Sequence, residues 1–155
     1  MIAWRVCKAK HAEDLSGTGA AICGGRWNAQ EIAALYLGLG PAICCLESFV
    51  NASGPPSVPM KIVQVELPDD PALYWEPMPS ELPADWDIKP YGSSSMVFGT
   101  AFHNDGQFLG LIVPSSVLPQ ERNIVVNPDH QAAVQIGILS IASFFYDPRM
   151  FQKQV

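Results

Sequence analysis

The segment EIAALYLGLGPAICCLESFV, residues 31–50, decides the architecture, because it joins an element of ambiguous type to one of plain type. Ile32, Leu35, Tyr36 and Leu39 stand at i, i+3, i+4 and i+7, the spacing of a helix face. Asn28 with Glu31 resembles a capping box that would open such a helix. Yet Gly38, Gly40 and Pro41 cut the run short, so a strand ending near Leu37 fits as well. The second half reads one way. Pro41 suits the first turn of a helix, Ile43, Leu46 and Val50 fall on one face, and SGPP at 53–56 stops it. Glu47 lies four residues after Ile43, beside that apolar stripe.

Working outward, IAWRV (2–6) reads as a short strand carrying Arg5, and DLSGTGA (14–20) as a loop leading into GGRWN (24–28). Downstream, MKIVQVELP (60–68) alternates Lys61, Val63, Val65 and Leu67 against Met60, Ile62, Gln64 and Glu66, the pattern of a half-buried strand. From Pro68 to Pro90 the chain is rich in Pro, Asp, Glu and Trp and predicts a loop that packs over something, pinned by Tyr74, Trp75 and Trp86. SSSMVFGTAFHN (93–104) predicts a short helix with a serine cap, against which Gly99 counts. QFLGLIVP (107–114), RNIVVNP (122–128) and GILSIASFF (137–145) are β-prone runs. Strands dominate and helices are few, so the expected class is α+β with a mixed, mostly antiparallel sheet, in a single domain over 1–155.

Composition narrows the function. Hydrophobic residues make up 48% and charged ones 15%, which describes a packed globular chain. The net charge is −6 and the nine Lys and Arg are scattered, so a phosphate backbone would be repelled and direct nucleic-acid binding is not expected. Cys7, Cys23, Cys44 and Cys45 form no CxxC pair, and no His stands at metal-ligand spacing, so buried reduced thiols and no metal are expected. The start, MIAWRVCKAK, has no apolar stretch behind a basic one, and no run of about 18 apolar residues follows, so neither a signal peptide nor a membrane span is expected and a reducing cytoplasm is the natural setting.

Three places carry chemistry. GGRWN combines glycines that let backbone approach a ligand, a planar donor fork in Arg26 that matches phosphate, and the apolar face of Trp27; a tight turn with a surface Arg explains the same residues. Glu47 among apolar neighbours calls for a partner, with Arg5 and Arg26 as candidates, unless it reaches water at the helix edge. VPSSVLP (113–119) places Ser115 and Ser116 at the end of an apolar strand, either as ligand-facing hydroxyls or as ordinary turn serines; no GxSxG elbow surrounds them. His11, His103 and His130 stand in polar contexts, and no local signature pairs His103 or His130 with Cys44 or Cys45.

Taken in order, WRV (4–6), DLSGTGA, GGRWN, LY (35–36), LE (46–47), VPSS (113–116) and NIVVNP (123–128), with the ending YDPRMF (146–151), resemble the RES-domain family, the toxin half of bacterial RES and Xre toxin–antitoxin pairs. The resemblance covers nearly the whole chain. It implies an ADP-ribosyltransferase-like fold, makes IAALYLG a strand, and implies consumption of NAD as a substrate, by phosphorolysis with inorganic phosphate or by hydrolysis. By position it places the family's functional residues on Arg5, Arg26, Tyr36, Glu47 and Ser115, with Ser116 as the neighbouring alternative. Glu47, Arg26 and Tyr36 would be catalytic, and Arg5 and Arg26 would grip the pyrophosphate. Val6 stands where many members carry an aromatic residue. An Xre-type antitoxin with a DNA-binding domain, and a homodimer within a larger complex, are implied as partners. Two alternatives stand beside this: modification of a protein target by ADP-ribosylation, and a non-catalytic acidic interaction module.

Overall fold

The computed structural model describes residues 1–152. It contains seven strands: β1 (Ile2–Lys8), β2 (Leu35–Gly38), β3 (Met60–Glu66), β4 (Tyr74–Trp75), β5 (Gly110–Pro114), β6 (Arg122–Val126) and β7 (Gly137–Phe144). They form one sheet in the order β4-β5-β6-β2-β1-β3-β7. Every pairing is antiparallel except β4 with β5. Three α-helices are described: α1 (Thr18–Cys23), α2 (Pro41–Val50) and α3 (Ser93–Asp105). The expected α+β class, with a mixed and mostly antiparallel sheet, is what the chain adopts.

Residues 35–38 are a strand, not part of a helix, for a reason visible in the packing. Leu35 and Leu37 are buried in one core with Val63, Val65, Ile124 and Val126, while Tyr36 packs with Trp27, Leu111, Val113 and Val125 in a second. A strand buried on both faces loses its alternation and reads as an unbroken apolar run, which a helical template also matches. The apparent capping box dissolves for the same reason. Asn28 is fully buried in tertiary hydrogen bonds, and Glu31 has a left-handed φ of 71° that no helix start adopts.

The helix over 41–50 forms as expected, with Pro41 at its first turn and the extended Gly40 before it. Its face differs from the expected one: Ile43 is buried, but Val50 is exposed. Part of the expected loop at 14–20 is helical instead, since α1 begins at Thr18 after a left-handed Gly17. The long helix α3 is capped by the extended Gly92 with no serine side-chain cap, and Ser94 donates to Asp85. Gly99 sits at a point of contact where a Cβ would lie 2.1 Å from the Trp27 carbonyl oxygen, so only glycine lets α3 close on this segment. The loop over 68–90 packs as expected, with Tyr74 against one core and Trp75 and Trp86 against the other.

The sheet has a weak seam. β1 and β2 pair at a single position, Trp4 with Gly38, whereas β1 pairs with β3 at seven positions and β2 with β6 at four.

Two composition readings are corrected. The four thiols are unpaired, but Cys23 is exposed, Cys7 and Cys45 are half-buried, and Cys44 alone is buried. His103 and His130 are buried despite their polar sequence neighbours: His130 Nδ1 accepts from the Ala132 amide at 3.1 Å, whereas neither ring nitrogen of His103 has a hydrogen-bond partner. Burial pushes the His103 imidazole from 6.5 down to about 4. Because its folded-state value lies below the unfolded one, the stability it contributes is present above about pH 6.5 and is lost as pH falls through about 4. His103→Leu should therefore flatten the decline in melting temperature between those two pH values; parallel wild-type and variant profiles would contradict this.

Candidate functional site

Two cavities meet on the side of the sheet that carries Tyr36. The larger, of about 770 Å³, is walled by Gly24–Trp27, by Lys89, Pro90 and Tyr91 from the end of the long loop, and by Pro114 at the end of β5 with Ser116 and Val117 after it. The smaller, of about 260 Å³, lies at the seam, between Trp4, Arg5 and Val6 of β1 and Tyr36, Leu37 and Gly38 of β2, with Cys44 and Ser48 of α2 beside them. Tyr36, Glu47, Asn51 and Asn123 line both. Sites of this size take drug- or cofactor-sized ligands.

Glu47 stands at that junction because α2 begins directly after β2 and runs back over β1, β2 and β6. Its Oε1 accepts two hydrogen bonds, from Ser115 Oγ at 2.6 Å and from Asn123 Nδ2 at 2.6 Å. These neutral donors, not Arg5 or Arg26, are its partners, which corrects the expected ion pair. Ser115 is fully buried, and its Oγ accepts from the amides of Val117 (3.0 Å) and Leu118 (3.1 Å), so its hydroxyl is committed to Glu47. Of the two serines it is Ser116 that faces the larger cavity.

Arg26 is held in the larger cavity by the carbonyls of Trp86 and Ile88, and its guanidinium lies 5.8 Å from the Tyr91 ring centroid. The long loop thus forms a cavity wall and the clamp on an arginine. Burial lowers the Arg26 guanidinium below its ordinary value, opposed first by the Glu47 carboxylate. Arg5 borders the smaller cavity and donates to the carbonyls of His11 (3.2 Å) and Asp14. The two arginines therefore lie in different cavities on either side of Glu47, and a shared grip on one pyrophosphate would have to span the junction.

Tyr36 is locked. Its hydroxyl donates to Asn28 Oδ1 at 2.7 Å and accepts from the Trp27 amide at 3.0 Å. Burial pushes its phenol upward, so it stays neutral. The two N–H groups of Asn28 are in turn shared among the carbonyls of Ala20, Ala29 and Ile32. A Cβ at Gly25 would come within 2.7 Å of the Tyr36 hydroxyl, so that glycine leaves room for the ring's end to reach this network. Burial also raises the Cys44 thiol to about 12, which removes it as a thiolate nucleophile at neutral pH.

Asn123, Asn51, Lys89 and Tyr91 escaped the sequence reading. Asn123 lies within NIVVNP, and its register opposite Gly38 puts it on the Tyr36 face of the sheet. The ending YDPRMF braces the site from behind: Tyr146 bonds Ser48, and Tyr146 and Phe151 pack on Phe49 of α2, while Asp147 and Arg149 form an exposed ion pair at 2.7 Å. Among the described residues no group of three or more His, Cys, Asp or Glu side chains is placed to hold a metal, and no helix is long and apolar enough to cross a membrane.

Comparison with known proteins places this chain in a family. The family profile described as "RES domain" matches residues 2–147. The chain is 37% identical to a protein named "Prs ADP-ribosylating toxin" from Sphingobium sp. (strain YBL2), over 97% of this chain and 96% of that one. It is 30% identical to "Toxin Res" of Yersinia enterocolitica, over 97% and 99%. Its fold matches a chain in the crystal structure of the M. tuberculosis MbcT–MbcA toxin–antitoxin complex, with a TM-score of 0.76 and 20% identity over 97% of this chain and 86% of that one. The chain belongs to the RES-domain family.

Proposed function

We propose that this protein is the toxin of a bacterial toxin–antitoxin pair and that it consumes NAD by breaking the bond between nicotinamide and ribose. The observation that carries the reading is the Glu47 carboxylate, fixed by two neutral donors at the junction of two cavities, each with an arginine on its border. Heterolysis of the C1′–N bond sends the electron pair to nicotinamide and leaves an oxocarbenium-like ribose, the charge problem that glycosidases meet with carboxylates. Glu47 stabilises that charge and binds the ribose hydroxyls. Arg26, with Lys89 near it, takes the pyrophosphate in the larger cavity; Arg5 and Tyr36 shape the smaller side, where nicotinamide stacks. Ser115 acts through Glu47.

Charge-assisted hydrogen bonds contribute roughly 1.5–3 kcal/mol each. Arg26→Ala should therefore lower kcat/KM for NAD by about 10–100-fold, read from initial rates of NAD loss; an unchanged rate would remove Arg26 from the site.

The acceptor is phosphate or water, which makes the enzyme an NAD phosphorylase or glycohydrolase with NAD as substrate and no cofactor. A second reading is favoured by the 37% identical relative, whose name is that of an ADP-ribosylating toxin: transfer to a protein. Purified protein incubated with NAD in phosphate and in phosphate-free buffer, with products resolved by mass, separates phosphorylated ADP-ribose, ADP-ribose and intact NAD. Intact NAD in both buffers, with an ADP-ribosylated protein appearing only in lysate, would replace the first reading by the second. The partner we propose is an Xre-type antitoxin with its own DNA-binding domain, which supplies the basic surface this acidic chain lacks and covers the cavities; the complex contains a toxin homodimer and resides in the cytoplasm.

A further inference from the structure

We infer that Asn123 is a positioning residue, which holds the Glu47 carboxylate so that one oxygen faces the protein and the other faces the ligand; this rests on the NAD reading above. Asn123 Nδ2 and Ser115 Oγ both donate to Oε1, each at 2.6 Å, and among the described residues no donor reaches Oε2. Two donors on one oxygen fix the rotation of the carboxylate, and Oε2 is left to the junction that Glu47 lines.

The two donors are built differently. Ser115 sits on the turn after β5, where two backbone amides fill its acceptor sites and direct its hydrogen to Glu47. Asn123 stands on β6, an interior strand paired on both sides, with Val113 and Gly38 as its neighbours. A Cβ at Gly38 would lie 3.0 Å from the Cys44 amide nitrogen, so this glycine lets α2 pack close on the sheet beside Asn123 and brings Glu47 within reach of its amide. The link therefore ties a helix-borne carboxylate to the rigid middle of the sheet.

The residue type matters. A lysine at 123 would pair with the carboxylate and cancel the charge that must face the ribose, and an aspartate would repel it. An amide orients the carboxylate without neutralising it. Because Asn123 also lines both cavities, a direct contact with substrate is the competing role, and the two separate kinetically.

The test uses the full-length protein, with NAD and mass-resolved products. Asn123→Ala should lower kcat by about 10–100-fold, the cost of a misplaced reacting group, with KM for NAD within about twofold of wild type and an unchanged melting temperature. Asn123→Asp, which preserves shape and packing, should be slower than Asn123→Ala. A packing role predicts the opposite order, with aspartate better tolerated. A raised KM at unchanged kcat, wild-type activity in either variant, or aspartate outperforming alanine would overturn the assignment. Should Asn123→Ala fail to fold, isosteric Asn123→Asp decides alone: native melting with lost turnover supports the inference, and native turnover overturns it. If the wild-type protein leaves NAD intact, the NAD reading falls and this role falls with it.

Discussion

Glu47→Ala should yield a folded protein that consumes NAD about 10²–10³-fold more slowly, the cost of removing one group that stabilises transition-state charge. The loss is expected in kcat, because the charge at C1′ develops only as the bond to nicotinamide breaks. Stability should fall by no more than about 1–3 kcal/mol: the buried Ser115 hydroxyl loses its acceptor, while Asn123 lines the cavities, where water replaces the carboxylate. Glu47→Gln refines the result. It keeps the size but removes the charge, so it should be nearly as slow as alanine if charge is what matters. The measurement is initial-rate NAD consumption by purified proteins, all folded at the assay temperature. Equal rates in wild type and Glu47→Ala would end the case for Glu47, and a rise in KM alone would reduce it to a binding group.

Asn28→Leu should destabilise the fold by about 3 kcal/mol or more, the largest stability loss expected of a single substitution near the site. Asn28 is fully buried, and one side chain serves four groups: the carbonyls of Ala20, Ala29 and Ile32 and the hydroxyl of Tyr36. Leucine satisfies none of them: the Ala20 and Ala29 carbonyls keep the amides of Gly24 and Ile32, but the Ile32 carbonyl and the Tyr36 O–H lose their partner, and each buried polar group left unpaired costs roughly 1–3 kcal/mol. For a chain of this size the melting temperature should fall by roughly 6–12 °C. The effect reaches function, because the same amide holds the Tyr36 hydroxyl and the turn that presents Arg26. Asn28→Asp, which keeps the acceptor for Tyr36 but loses the donors, should fall between the two. A Leu variant that melts with the wild type would show that the network is replaced by water.

Much of the fold is legible in the sequence wherever one residue type answers one local demand. Pro41 fixes the start of α2, and the alternation in 60–66 predicts the half-buried strand β3, whose buried residues are Val63 and Val65 in the structure. Legibility ends where tertiary contacts take over local signals. Asn28 and Glu31 have the letters of a capping box, but the asparagine side chain is claimed by a buried network. Gly99 weakens α3 as a sequence and is required by it as a structure. At the site, the order of GGRWN, LY, LE and VPSS points to Arg26, Tyr36, Glu47 and Ser115. That order carries no distances, so it does not show that Ser115 backs Glu47, that the two arginines lie in separate cavities, or that the 68–90 loop clamps Arg26. Asn123 was hidden for a related reason: an asparagine inside a β-prone run carries no mark of the helix residue it will meet.

The single pairing between β1 and β2 gives the sheet an internal fault line, with four strands on one side and three on the other. The smaller cavity opens along that line. A molecule seated there touches both halves and supplies across the gap some of the cohesion that a ladder of backbone hydrogen bonds supplies elsewhere. Helix α2 already bridges that line, resting on β1, β2 and β6, so a ligand at the junction adds to an existing bridge and is expected to stabilise the fold by mass action. Ligand binding is then expected to slow amide hydrogen exchange in β1 and β2 beside the seam, and equal exchange with and without ligand would deny the link.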